Sequence, residues 1–387
     1  MFIIIAVVFV AAVFALVFYL LDSSQDNSQA AVQKKGEVNQ TEVVTEPATQ
    51  PPTENEGVDI SVDDMTLEQK VAQMIMVSCH QGIDIEGASK YGVGGICLYS
   101  YSFENKTSGD VVDMIESFQG LSDVPMLVSV DEEGGTVNRV SINPNLRESP
   151  FLSPSELFTQ GGMDLVISDT QEKAELLLSL GINVNLAPVC DVPLSEDNYI
   201  YDRCFSLDHN STCDYVSNVV KTMKTAGIGS TLKHFPGYGG SVDTHQSMSY
   251  DTRDYSAFEN GDFLPFVAGI ESGADCVLVS HNIVTCMDEN MPASLSKPIH
   301  DILRNDLEFD GVVMTDDLVM EGITQFTDGE NAAVCAVVAG NDMIICEDYR
   351  SAVNAIVKAV NDGEISVEQI DNSVKRILEW KKSLGLI

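Results

Sequence analysis

Short apolar runs rich in β-branched residues recur along the chain. There are eight of them, at residues 74–77, 95–98, 125–130, 184–189, 228–232, 276–279, 311–314 and 342–345. Between several runs the apolar positions fall at helical spacing, most clearly in residues 171–180 and 352–360. Strands buried on both faces and separated by helices are typical of parallel βαβ units. Eight such units predict an α/β fold, a closed (β/α)8 TIM-like barrel. An open doubly wound sheet is the alternative, but its usual GxGxxG turn is absent from the sequence.

The first 58 residues differ in composition from the rest. Residues 1–21 are almost wholly apolar and uncharged, and at about 1.5 Å per residue they are long enough to span a bilayer. They predict an uncleaved transmembrane anchor; a cleavable signal peptide would usually begin with a positive n-region. Residues 22–58 are polar and predict a disordered linker, which leaves residues 59–387 as one folded domain. The expected localisation is the cell membrane, with a single-pass anchor and an extracytoplasmic domain, or secretion if the segment is cleaved.

Charge and cysteine content exclude two classes of function. The chain carries a formal net charge of −38, which would repel phosphates and argues against a nucleic-acid partner. Its nine cysteines are scattered without a CxxC pair, so the sequence gives no case for zinc. We expect a monomer that meets the membrane only through residues 1–21.

Polar residues follow six of the eight apolar runs. They are Asp131-Glu132-Glu133, Cys190-Asp191, Lys233-His234, Ser280-His281, Thr315-Asp316-Asp317 and Cys346-Glu347-Asp348. Because the carboxyl ends of barrel strands meet at one mouth, these side chains should converge on a single site. Among them, we expect His281 to be a buried structural residue.

Two acidic positions suit glycoside chemistry. Asp316 ends an apolar run and can act as a nucleophile toward an anomeric carbon. Alternation along a strand predicts that only one of Asp316 and Asp317 enters the site, with Asp317 suited to a helix N-cap. In the loop after residue 235, Asp243 and His245 are two positions apart, which pairs a carboxylate with an imidazole as a general acid/base.

Other residues near the predicted mouth suit sugar hydroxyls. Asp131 can accept two hydroxyl hydrogen bonds, whereas Arg139, Arg203 and Lys233 can donate to hydroxyls or to an anionic group. A local ion pair between Arg203 and Asp202 is the alternative for that arginine.

The sequence resembles the family 3 glycoside hydrolases, specifically the β-N-acetylglucosaminidase branch that acts in bacterial cell-wall turnover. The resemblance covers residues 62–386 and several long motifs in the family's order. These are TLEQKV at 66–71, VSVDEEGG at 128–135, APVCDV at 187–192, KHFPG at 233–237, MPASLS at 291–296 and GVVMTDDLVM at 311–320.

The resemblance implies a TIM-like barrel and a retaining, exo-acting β-N-acetylhexosaminidase that removes terminal N-acetylglucosamine from cell-wall or chitin-derived glycans. Asp316 then matches the nucleophile, His245 the acid/base and Asp243 its partner. The residues that match those gripping the sugar are Asp131, Arg139, Arg203, Lys233 and His234. No metal or cofactor is implied.

The chain also departs from the family pattern. Tyr238 stands where many members have histidine, and Thr136 replaces a common arginine. Four alternatives stay open: a β-glucosidase, a glycoside phosphorylase of the same family, a catalytically inactive wall-binding module, and a metal-dependent barrel hydrolase. The last would use His234, His245, His281 and Asp316 as ligands.

Overall fold

Eight of the ten strands in the described residues form one parallel sheet. The structure is a computed structural model that describes residues 60–239, 249–319, 323, 326–327 and 331–387. The strands are β1 Ile75–Cys79, β2 Gly95–Leu98, β3 Leu127–Val130, β4 Val184–Asn185, β5 Gly229–Phe235, β6 Tyr250–Asp251, β7 Cys276–Val279, β8 Ile283–Val284, β9 Val312–Thr315 and β10 Ile344–Cys346.

The sheet closes on itself. Its order is β10-β1-β2-β3-β4-β5-β7-β9, and all its neighbouring pairs are parallel. A parallel bridge between Met314 and Met343 joins β9 to β10, where the Thr315 N–H donates to the Met343 carbonyl at 3.2 Å. The predicted (β/α)8 barrel is therefore confirmed. Strands β6 and β8 form a separate parallel pair.

Helices surround the barrel strands. They are α1 Leu67–Gln73, α2 Ile85–Tyr91, α3 Ser108–Gln119, α4 Pro154–Ser179, α5 His209–Ala226, α6 Tyr255–Ala257, α7 Phe263–Glu271, α8 Lys297–Asp301, α9 Ala332–Ala339, α10 Tyr349–Asn361 and α11 Val367–Ser383. The two predicted helical stretches lie in α4 and α10. A π-helical turn, Phe258–Asp262, joins α6 to α7.

Strand burial explains why the apolar runs predicted the barrel. All residues of β1, β2, β3, β7 and β9 are buried, so each strand needs apolar side chains on both faces. Strand β4 has only two residues, and the Asn185 side chain adds hydrogen bonds to the neighbouring segment. Asn185 accepts the Glu132 N–H at 3.0 Å and donates to the Glu132 carbonyl at 3.0 Å. This exchange fixes the segment after β3, where acidic residues begin.

Helix α11 packs against α1 through buried polar contacts. Lys381 is fully buried and donates to the Gln73 side chain at 2.7 Å. Nearby, Lys70 pairs with Asp371 at 2.6 Å. Burial lowers the pKa of Lys381 to about 7.

The expected cell-membrane localisation with a single-pass anchor is wrong for the described residues. None of their helices is both long enough and apolar enough to cross a membrane. The longest, α4, has 26 residues but carries several charged side chains, among them Asp169 and Lys173. Residues 1–21, on which the expectation depended, lie outside the described residues, and the boundaries at residues 21 and 58 stay predictions.

Candidate functional site

A cavity of about 600 Å³ lies at the carboxyl ends of the barrel strands. This volume is in the range of small-molecule sites. The lining residues are His80, Cys97, Tyr99, Asp131, Glu133, Val137, Arg139, Leu186, Arg203, Lys233, His234, Leu278, Asp316, Asp317, Val319 and Ile345. The structure therefore brings together six of the eight residues that the sequence nominated: Asp131, Arg139, Arg203, Lys233, His234 and Asp316.

A buried network of four charges forms one wall of the cavity. The Lys233 Nζ lies 2.6 Å from Asp131 Oδ1 and 2.6 Å from Glu133 Oε1. Arg203, at the end of a 3-10 turn, donates to both Glu133 oxygens at 2.8 and 3.0 Å. Among the described residues Arg203 pairs with Glu133 and not with Asp202, so the alternative of a local ion pair is wrong.

The network holds Glu133 and Lys233 in their charged forms. Burial alone would raise the pKa of Glu133, but Arg203 and Lys233 outweigh it and hold that pKa well below its usual range. Burial would likewise lower the pKa of Lys233, but Asp131 and Glu133 raise it. The wall is therefore a fixed set of paired charges, in place before any ligand enters.

Asp191 orients His234 on the same wall. The Asp191 Oδ2 lies 2.7 Å from His234 Nδ1 and accepts the His234 backbone N–H at 3.1 Å. Arg203 Nη2 approaches His234 Nε2 at 3.2 Å, and because a guanidinium can only donate, Nε2 must accept. These partners assign the ring proton to Nδ1. Asp191 also accepts the Tyr238 N–H at 2.8 Å, which fixes the start of the glycine-rich loop.

Glu132 positions Arg139 through the backbone. Its buried carboxylate accepts the N–H groups of Arg139 and Val140, each at 2.7 Å, and that of Ser141 at 3.2 Å. The Arg139 Nη2 lies 3.8 Å from Asp131 Oδ2, and within the described part of the chain its buried Nε has no hydrogen-bond partner. Arg139 also lines the cavity, so its guanidinium can donate to a ligand there.

Asp316 and Asp317 both line the cavity, so the prediction that only one of them enters the site is wrong. Strand β9 ends at Thr315, and the alternation of side chains ends with it. The Asp316 N–H donates to the Val279 carbonyl at 3.0 Å, and the Asp316 Oδ1 accepts the Asp317 N–H at 2.9 Å. Asp316 therefore stands half-buried at the mouth.

Asp243 and His245 lie outside the described residues, but the chain on either side of them is described. Arg253 pairs with Asp251 at 2.8 Å and with Asp262 at 2.9 Å. An added Cβ on Gly239 would lie 2.0 Å from Arg253 Nη2, and one on Gly237 would lie 2.6 Å from Asp262 Oδ1. These two glycines permit the close packing of the loop against the Arg253 ion pairs.

Two of the four proposed metal ligands, His234 and His281, are engaged in other contacts. His234 contacts Asp191 and Arg203, and buried His281 contacts the Ser294 hydroxyl at 2.7 Å and the Asp317 carbonyl at 3.0 Å. Across the described residues, no group of three or more His, Cys, Asp or Glu side chains could hold a metal ion. His281 is the buried structural residue that the sequence predicted.

Sequence reasoning placed Glu133 and Asp191 near the mouth but gave them no role, and it did not name His80 or Tyr99. Tyr99 directly follows the predicted strand at 95–98, and that position is the signal that could have found it. Glu133 belongs to a run of three acidic residues, and the run alone does not say which of them faces the arginine and lysine.

Comparisons with known proteins show which family the chain is similar to. Residues 66–380 match the model described as the glycosyl hydrolase family 3 N terminal domain. A beta-hexosaminidase of Photobacterium profundum is 30% identical over 291 residues, which are 73% of this chain and 83% of that protein. Beta-hexosaminidase LpqI of Mycobacterium tuberculosis is 29% identical over 324 residues, 81% of this chain and 82% of that protein. The solved family 3 beta-N-acetylglucosaminidase from Paenibacillus sp. FPU-7 superposes with a TM-score of 0.78 at 30% identity, covering 83% of this chain and 63% of that one.

Proposed function

This chain belongs to glycosyl hydrolase family 3, and we propose that it is an exo-acting, retaining β-N-acetylhexosaminidase. Family membership makes it a glycoside hydrolase. The similar proteins named beta-hexosaminidase and beta-N-acetylglucosaminidase support N-acetylglucosamine as the sugar. The proposed substrates are cell-wall or chitin-derived glycans with that sugar at the non-reducing end.

One observation carries this proposal: the Asp316 carboxylate shares a cavity with paired charges that suit sugar hydroxyls. Asp131, held by Lys233, presents carboxylate oxygens to hydroxyl donors. Arg139, which lines the cavity, presents guanidinium donors to hydroxyl or carbonyl oxygens. Such fixed groups would bind the terminal sugar with its anomeric carbon toward Asp316.

The reaction proceeds in two displacements. In the first, an Asp316 oxygen forms a bond to the anomeric carbon while the glycosidic C–O bond breaks, and the leaving oxygen takes a proton. We assign that proton to His245, oriented by Asp243, on the sequence pattern and the family resemblance. In the second displacement, the same imidazole removes a proton from water, which attacks the anomeric carbon and releases Asp316.

The proposal is tested with Asp316→Asn on 4-nitrophenyl N-acetyl-β-D-glucosaminide. We expect kcat to fall at least about 10³-fold, because the amide cannot form the glycosyl ester. Asp310→Asn, which changes an exposed aspartate a few residues upstream, is the matched control and should leave kcat unchanged. Undiminished turnover by Asp316→Asn would contradict the assignment.

A substrate panel separates the remaining alternatives. Faster hydrolysis of the β-glucoside than of the β-N-acetylglucosaminide would favour a β-glucosidase. Turnover that requires inorganic phosphate and yields a sugar phosphate would favour a phosphorylase. Proton NMR of the first product should show the β-anomer, since two displacements retain configuration. Activity lost to a chelator and restored by metal would favour the metal-dependent hydrolase.

A further inference from the structure

Asp317 is hydrogen-bonded at each of its polar positions. Its N–H donates to Asp316 Oδ1 at 2.9 Å, and its Oδ1 accepts the Val319 N–H at 3.1 Å. Its carbonyl lies 3.0 Å from His281 Nε2. A carbonyl can only accept, so His281 carries its proton on Nε2 and its Nδ1 accepts from Ser294. The residue after Asp316 is therefore fixed through its backbone as well as its side chain.

Three side chains from the first two barrel strands meet the remaining oxygen, Asp317 Oδ2. Ser78, in β1, donates to it through Oγ, and His80, just beyond β1, approaches with Nε2 at 3.3 Å. Tyr99, directly after β2, has its hydroxyl 3.1 Å from the Ser78 Oγ and 3.5 Å from Asp317 Oδ2, and its ring stacks on the His80 ring with centroids 4.3 Å apart. Burial raises the pKa of Tyr99 far above its usual range, so its hydroxyl remains a donor.

This arrangement exceeds what a helix cap requires. An N-cap needs one side-chain acceptor for one backbone N–H, which the Asp317–Val319 contact already supplies. The contacts with Ser78, His80 and Tyr99 instead connect the end of β9 to β1 and β2 across the barrel mouth. These contacts hold Asp317 in place. The Asp317 N–H in turn donates to one carboxylate oxygen of Asp316 and so sets the plane of the Asp316 carboxylate in the cavity.

We propose that Asp317 is a positioning residue that holds Asp316 for attack, with Ser78 and Tyr99 holding Asp317. The inference rests on the proposed role of Asp316 as nucleophile. A carboxylate must meet the anomeric carbon within about 3–3.5 Å and in line, so a small rotation of Asp316 slows the first displacement. The sugar-binding wall of Asp131, Glu133, Lys233 and Arg203 does not contact Asp317, and it should keep its affinity.

Ser78→Ala and Tyr99→Phe test this inference by removing the hydroxyl donors while keeping the rest of each side chain. The wild-type panel first identifies the preferred nitrophenyl glycoside, and that substrate is then used throughout. We expect kcat to fall about ten- to hundredfold in each variant, while the inhibition constant of the released free sugar changes less than twofold. The pre-steady-state burst with the matching 2,4-dinitrophenyl glycoside should slow by the same factor, because it reports attack by Asp316.

Tyr101→Phe is the matched control, since it removes a hydroxyl two residues from Tyr99 without touching Asp317. It should retain wild-type kcat. The inference is overturned if both test variants keep kcat within twofold of wild type, or if weaker binding of the free sugar accounts for their whole loss. A preference of the wild type for glucosides would refute the proposed sugar but leave the positioning test intact on that substrate.

Discussion

Replacing Glu133 by glutamine is the sharpest test of the buried charge network. In the wild type, Glu133 and Asp131 balance Lys233 and Arg203, so the four charges sum to zero. Glutamine keeps the shape of the side chain and some hydrogen bonds but leaves one positive charge in excess. Arg203 is then the cation most affected, because among the described residues both of its hydrogen bonds to carboxylates are to Glu133.

The magnitude follows from the burial of the partners. Side-chain exposures are 3% for Glu133, 3% for Lys233 and 18% for Arg203, so water cannot replace the lost charge. Breaking a buried ion pair by removing one partner costs about 3–5 kcal/mol. Since glutamine still accepts hydrogen bonds, we expect the lower end, about 3 kcal/mol, from a total stability of about 5–15 kcal/mol.

Urea unfolding at several pH values measures the loss in unfolding free energy and shows whether the Glu133 charge is its cause. The pKa of Glu133 is depressed in the folded state. The stabilisation that the Glu133 carboxylate gives the folded state is therefore fully present above its unfolded-state pKa of about 4.3. It is lost as the pH falls toward and through its lower folded-state pKa. The difference in unfolding free energy between wild type and Glu133→Gln should be constant between about pH 6 and 8, and it should shrink below about pH 4.

Glu148→Gln, which changes an exposed glutamate, is the control and should alter stability by less than about 0.5 kcal/mol. Equal stability of the two variants at pH 7 would refute the reasoning. So would a difference that grows on acidification, because it would mean that the Glu133 carboxylate destabilises the folded state.

Two further predictions concern a loop glycine and a buried lysine. Gly239→Ala places a Cβ 2.0 Å from Arg253 Nη2 and should therefore lower the unfolding temperature. Gly227→Ala is the control and should lower it less. At Gly227 an added Cβ would have no atom within 4 Å, so only the cost of a left-handed backbone, about 1 kcal/mol, applies. Equal shifts would contradict this packing. The Lys381 pKa of about 7 lies below its unfolded value of about 10.4, so the unfolded chain binds the extra proton and wild-type stability should rise from pH 7 to 10. In thermal scans Lys381→Met should flatten the rise in stability, whereas the control Lys382→Met should keep it. A rise of similar size in both variants would refute the assignment of this pH dependence to Lys381.

The barrel was predictable because its strands are buried on both faces. Runs such as residues 276–279 and 95–98 coincide with β7 and β2, since nothing but continuous apolar sequence suits those positions. The run at 184–189 was predicted too long. Strand β4 ends at Asn185, and beyond it the pairing with β5 is reduced to an isolated parallel bridge between Val189 and Lys233.

The site was predictable only where a residue's type and its place after a strand agreed. Lys233 and Asp316 were found in this way, although their roles in the reaction stay predictions. The pairing of His234 with Asp191 spans 43 positions, and one sequence does not reveal such a contact. The cavity position of Asp317 was missed because strand alternation was extended past the end of β9.

The pairing of β1 with β10 sets the order in which the protein assembles. Ile75 pairs with Ile344, which lies 269 positions later in the chain, and that stretch takes roughly 13–54 s to synthesise at about 5–20 residues per second. Until β10 emerges from the ribosome, β1 presents an unpaired edge to other nascent chains. Chaperones that cover this edge during the interval should therefore raise the yield of folded chain.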